Sequence, residues 1–245
     1  MFKVGKVPYL NTIPLFYCFE DPMIELVEGE PSYLVSLLRD GKIHAGIVSS
    51  VEYLFNRSQY RVVSGLCIAS KQRVCSVLLF SKRPMLEIKR VYLTPASLTS
   101  KLLCKHILED VYKLKPEYVE SRESTDALLL IGDDALYEKR LGKFEYVYDL
   151  AEEWHKVYSL PFVFALFLVR KDADPFLDRL IEELALRSIK AFYEDFAQGR
   201  VEVEGFSGEE LKDYFYHCID YFLDEEKERS LELFRNLAYN QRKEL

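Results

Sequence analysis

Asn11 lies in Val7-Pro8-Tyr9-Leu10-Asn11-Thr12-Ile13-Pro14-Leu15, a stretch that leads an N-terminal strand into a polar, proline-bounded turn and then a helix. A carboxamide at that point can both donate to and accept from a leaving hydroxyl or a reacting carboxylate. The same residue type also closes Asx turns, so scaffold and catalysis are both open to it. Three further turns are built alike: Val48-Ser49-Ser50-Val51-Glu52, Leu93-Thr94-Pro95-Ala96-Ser97-Leu98-Thr99-Ser100 and Ile131-Gly132-Asp133-Asp134. Each follows a short apolar run and opens a helical pattern. The start of a helix offers unpaired N–H groups and partial positive charge, so four of them at strand ends suit a small anion.

Each polar residue in these turns has a structural reading beside a chemical one. Ser49 with Glu52 spells a capping box, and Ser50 follows it. Thr12 can hold the first turn or touch a ligand, and Ser76 can donate to a carboxylate or to buried backbone. Thr99 and Ser100 favour a ligand, because Ser97 is available to cap their helix. Asp133 reads as a cap, with Gly132 permitting close backbone approach. Tyr9 and Phe162 can flank a ring or fill core. Asp134 and the pair Glu152-Glu153 are expected on solvated faces, and Arg73 in an exposed loop.

Strand-like runs at Phe2–Val7, Ile24–Val27 and Ala45–Val48 alternate with helical patterns at Pro14–Phe19 and Ser32–Arg39, which spells βαβαβ. Tyr60–Ile68 and Cys75–Phe80 read as longer strands. The alternation restarts at Val91–Leu93, and the apolar run Phe162–Val169 reads as a strand buried on both faces. Beyond it the chain reads as wholly helical, with Ser207–Glu210 a capping box and Glu225–Leu237 a final helix. The expected fold is α/β and two-lobed, with a helical C-terminal segment. Lobe I takes residues 1–84 and 162–245 and lobe II residues 85–161, crossing near 81–86 and 159–163, with a ligand between the lobes.

A chain of 245 residues, 49% hydrophobic and 30% charged, can bury a sizeable core. Its net charge of −7 gives no electrostatic reason to expect nucleic acid or an anionic membrane surface. Neither a GxGxxG nor a GxxxxGK[ST] loop occurs, and no segment approaches the ~18 apolar residues of a membrane span. Five cysteines, odd in number and scattered without CxxC or metal-ligand spacing, read as reduced and mostly buried. No metal and no cofactor are expected, and the protein is expected to be cytoplasmic.

Six segments in unbroken order over residues 3 to 170 closely resemble the chorismate dehydratase family of the futalosine route to menaquinone: VPYLNTIPL, GKIHAGIVSSVEYL, GLCIASKQRVCSVLLFS, LTPASLTSKLL, ALLLIGDDAL and YDLAEEWHKVYSLPFVFALFLVR. The resemblance implies the type II periplasmic-binding-protein-like fold. It also implies a lyase reaction, in which chorismate, a dicarboxylate, loses water to give 3-(1-carboxyvinyloxy)benzoate. It implies a substrate carboxylate as base, since His44, His106, His155 and His217 lie outside the four turns. Asn11 is the expected catalytic residue, with Tyr9, Thr12, Ser49, Ser50, Ser76, Thr99, Ser100, Gly132, Asp133 and Phe162 expected to bind substrate. Two alternatives are an enzyme like the dihydroxynaphthoate synthase of the same pathway, which needs a histidine this chain lacks in its motifs, and a cytoplasmic small-acid-binding protein without turnover.

Overall fold

The computed structural model describes residues 1–242. Its strands are β1 (Phe2–Lys6), β2 (Ile24–Glu28), β3 (Ala45–Ser49), β4 (Tyr60–Ser70), β5 (Val77–Ser81), β6 (Arg90–Leu93), β7 (Glu117–Val119), β8 (Ala127–Ile131), β9 (Tyr146–Asp149), β10 (Phe162–Arg170) and β11 (Asp220–Phe222). The helices are α1 (Ile13–Phe16), α2 (Pro31–Arg39), α3 (Ser50–Phe55), α4 (Leu98–Lys105), α5 (Gly132–Leu141), α6 (Leu150–Tyr158), α7 (Phe176–Ala197), α8 (Gly208–Asp213) and α9 (Glu225–Arg242). Residues Met1–Ile68 and Ala165–Asp224 form one compact unit, and Ala69–Phe164 with the chain from Glu225 onward form a second.

The first unit is built on a six-stranded sheet in the order β11-β4-β10-β3-β1-β2. β1 lies parallel to both β2 and β3, and β10 runs antiparallel to β3. Crossover helices explain the parallel pairs: α2 starts at Pro31, buries Leu34, Leu37 and Leu38, and stops before Gly41, whose φ of 72° suits glycine. β3 is buried along its whole length, as its unbroken apolar sequence requires of a strand covered on both faces. α7 packs against α1 and buries Leu177, Leu180, Ile181 and Leu184 along its length.

The second unit is built on a five-stranded sheet ordered β7-β6-β8-β5-β9, in which β8 is parallel to β6 and antiparallel to β5. Leu78, Phe80, Leu128, Leu130 and Ala135 form a core against it. A second, aromatic core brings Trp154 to 5.1 Å from Phe162 and 5.8 Å from Phe234 of α9, measured between ring centroids.

Five expectations change. The first unit ends at Ile68 rather than residue 84, because β5 pairs with β8 and β9 in the second sheet. The return lies at 164/165, and α9 goes with the second unit because Phe234 packs on Trp154 and Phe162. The stretch after β10 is not wholly helical, since β11 joins the edge of the first sheet. Glu153 is not solvated: it is buried, accepting from Tyr112 at 2.6 Å and pairing with Lys156 at 2.9 Å. The reduced state expected of all five cysteines holds for Cys18, Cys67 and Cys104 and fails for Cys75 and Cys218, which are oxidised to disulfide. Among the described residues, no helix is long and apolar enough to cross a membrane.

Candidate functional site

In the first unit, the parallel register of β1 with β3 brings their C-terminal ends to the same sheet edge. Two of the polar turns therefore share that edge, one carrying Tyr9, Asn11 and Thr12 and the other Ser49 and Ser50. Leu10–Thr12 is a single 3-10 turn, pinned from inside by Thr12, whose hydroxyl reaches the carbonyls of Val7 at 2.6 Å and Tyr9 at 2.9 Å. This closes the turn without the neighbouring amide. The Asn11 carboxamide oxygen is buried and has no hydrogen-bond partner within the protein, a rare condition for a polar atom and one that calls for an explanation. The Asn11 main-chain carbonyl instead accepts from the Tyr221 hydroxyl at 2.9 Å.

The capping box read at Ser49 does not form. Ser49 sits at the N-cap of α3 and its side chain makes no cap bond, and the Glu52 carboxylate, which a capping box would turn back to the Ser49 main-chain N–H, is taken elsewhere. It accepts from Arg39 Nε at 3.0 Å, the Tyr60 hydroxyl at 2.8 Å and Asn56 Nδ2 at 3.1 Å. Burial, then the Glu52 carboxylate, pushes the Tyr60 hydroxyl far above its ordinary pKa. Ser49 and Ser50 are both buried at the strand end.

In the second unit, the same logic gathers another set. β6 and β8 are parallel, and antiparallel β5 pairs Val77 with Ile131. One edge therefore holds the start of α4 with Thr99 and Ser100, the start of α5 with Gly132 and Asp133, and Ser76 just before β5. Ser97 caps α4 as expected, accepting from the Ser100 N–H at 3.2 Å, and Thr99 and Ser100 are buried. Ser76 is also buried, with its hydroxyl 3.3 Å from the carbonyl of Val74. Asp133 is not the cap of α5: Ile131 takes that position, and Asp133 lies in the first helical turn.

Asp149 organises this edge and was not among the expected site residues. It caps α6 through the N–H groups of Ala151 and Glu152, and accepts from the N–H groups of Val74 at 3.1 Å and Cys75 at 2.7 Å. Burial pushes its carboxyl upward while those four donors pull it down. The spacing Asp149-Leu150-Ala151-Glu152 is a capping signature that could have found it. Phe162 is 1% exposed inside the aromatic core, which assigns it to packing. Tyr9 is half-buried, and Arg73 is exposed as expected.

The histidines lie apart from these turns. His44 precedes β3, at the opposite end from Ser49, and accepts from the Lys3 N–H at 3.0 Å. His106 is held between Asp110 at 2.8 Å and Tyr158 at 2.7 Å. His155 lies within α6 and His217 after α8. A cleft of about 360 Å³ in the first unit is lined by residues that include Arg39, Glu52, Tyr60 and Arg170. It collects none of the expected substrate residues.

A family described as menaquinone biosynthesis matches residues 2–240. A chorismate dehydratase of Thermus thermophilus is 29% identical over 195 residues, covering 71% of this chain and 72% of that protein. A crystal structure of an Archaeoglobus fulgidus protein superposes with a TM-score of 0.71 at 20% identity, covering 98% of this chain and 97% of that one. A Candida albicans protein described as having the generic periplasmic binding protein fold superposes with a TM-score of 0.68 at 11% identity, covering 98% and 90%. At these identities the two structures show a shared fold, the periplasmic-binding-protein-like one.

Proposed function

The chain belongs to the menaquinone biosynthesis family, and from that premise we propose that it dehydrates chorismate to 3-(1-carboxyvinyloxy)benzoate. The proton on C3 passes to a base, the C4–O bond breaks, and the departing hydroxyl takes that proton from the base to leave as water. The electrons of the C3–H bond complete the aromatic ring. As C3–H breaks, charge spreads through the diene to the C1 carboxylate, so donors aimed there help the transition state more than the ground state.

The observation that carries the reading is the Asn11 carboxamide oxygen, buried and without a partner beside the strand-end serines. Such an oxygen can accept from the departing C4 hydroxyl, while the amide's N–H group can donate to a carboxylate. Ser49, Ser50, Ser76, Thr99 and Ser100 are proposed to hold carboxylates. Asp133 would serve through its main-chain N–H at the start of α5, because its own charge repels a dicarboxylate. With every histidine away from the turns, a substrate carboxylate is the proposed base. The scheme consumes no cofactor.

Ultraviolet spectra of chorismate mixed with the purified protein test it. The diene band should give way to a benzoate spectrum at a rate proportional to protein. Chorismate that binds and keeps its diene absorption indefinitely would show a binding protein rather than a lyase.

A further inference from the structure

β11 is a three-residue strand at the edge of the six-stranded sheet. Its central residue, Tyr221, is 2% exposed. A tyrosine hydroxyl so buried needs a partner, and this one finds it 210 residues away, on the carbonyl of Asn11. β11 and β1 stand four positions apart in the sheet order, about 19 Å at ordinary strand spacing. The chain from the end of β1 to Asn11 spans at most about 17 Å. The Asn11 turn therefore leans from the end of β1 toward the β11 side of the sheet for the bond to close.

Two sets of bonds then hold the turn. Those of Thr12 are local and fix its shape. The Tyr221 bond fixes where the Asn11 peptide sits, and does so without using the carboxamide. We infer that Tyr221 is a positioning residue for Asn11, pinning its carbonyl so that the carboxamide oxygen stays unpaired and available to the reacting atoms. The inference rests on the role given to Asn11 above. Burial also pushes the Tyr221 hydroxyl well above its ordinary pKa, so it remains a donor across the working pH range and is no acid or base itself.

Tyr221→Phe removes one hydroxyl and keeps the ring. The expected result is a roughly tenfold or greater fall in kcat with KM within about threefold, since small displacements of a reacting group are costly. In the Asn11→Ala background the same change should have no further effect. Hydrogen exchange supplies a readout independent of turnover: amides of Leu10–Thr12 should exchange about tenfold faster in Tyr221→Phe while those of β1 keep their protection. Wild-type kcat, an additive loss in the double variant, or loosening of β1 together with the turn would each overturn the positioning role. If Asn11→Ala is fully active while the exchange result holds, the clamp stands and the role of Asn11 in the reaction falls.

Discussion

The main-chain N–H of Gly132 donates to the carbonyl of Ser76 at 2.7 Å, tying the first residue of α5 to the residue before β5. That N–H is therefore spent inside the protein, and the glycine's contribution is conformational. Its φ is 59°, in the left-handed region where a Cβ costs roughly 1–2 kcal/mol. Gly132→Ala should lower the melting temperature by a few degrees and weaken substrate binding, because Ser76 and the Asp133 N–H shift together. Calorimetry with KM measurement checks this, and unchanged values for both would remove Gly132 from the site.

Glu52 is 3% exposed and joins α2, α3 and β4 through Arg39, Asn56 and Tyr60. Replacing it with alanine leaves a buried tyrosine hydroxyl without its acceptor, at a cost of about 1–3 kcal/mol. Arg39 turns to water, since more than half its side chain is already exposed. The expected outcome for Glu52→Ala is a melting temperature lower by several degrees with KM near normal, read by thermal denaturation and steady-state kinetics. A large rise in KM with an unchanged melting temperature would make this network part of the ligand site.

The strand ends were legible in sequence because strand-turn-helix patterning is local. Asn11, Ser49 and Gly132 fall where apolar runs meet helical spacing and Ser76 where an apolar run begins, and the structure puts them at strand ends. Partners were not legible. Glu52 is three residues from Ser49, the spacing of a capping box, yet a guanidinium and a phenol outcompete the serine for its carboxylate. Phe162 looks the same in sequence whether it faces a ligand or Trp154. Tyr221 lay hidden because a three-residue strand carries no periodic signal, and because its bond spans 210 residues. The second crossover was nearly placed, since the strand change falls within the apolar run of β10. The first was misplaced because β5 reads like a continuation of β4 until its pairing with β8 is known.

Asp126 supplies a test in acid. Partial burial works against its charge, but the N–H groups of Lys89 and Arg90, each at 3.0 Å, and Arg83 Nε at 3.0 Å prevail and hold its carboxyl below the usual range. With a folded pKa below the unfolded value of about 3.9, the stabilisation is fully present above that value. It is lost as pH falls through the folded pKa. Asp126→Asn should therefore flatten the fall in stability below about pH 4, leaving the shares of Asp172, held by Arg170, and Asp195, held by Arg200. Urea denaturation at stepped pH measures the slope, and an identical slope in the variant would exclude Asp126 as a contributor.

Asn11→Ala separates chemistry from scaffold most cleanly. The Asx-turn reading requires the Asn11 side chain to brace the turn, but Thr12 supplies the bonds that close it, and the Asn11 carboxamide oxygen has no partner. Removing an unpaired buried polar group does not harm the fold, so the melting temperature should stay within a few degrees, whereas Thr12→Val should lower it clearly. If the amide acts chiefly as charge develops, kcat should fall by roughly 10²-fold or more with substrate affinity within about tenfold. Ser76→Ala and Thr99→Ala should instead raise KM first, because the carboxylates they are proposed to hold are already charged in the ground state. A normal kcat in Asn11→Ala together with a sharply lowered melting temperature would return Asn11 to scaffolding, and the search for the group that meets the leaving hydroxyl would move to Ser49 and Ser50.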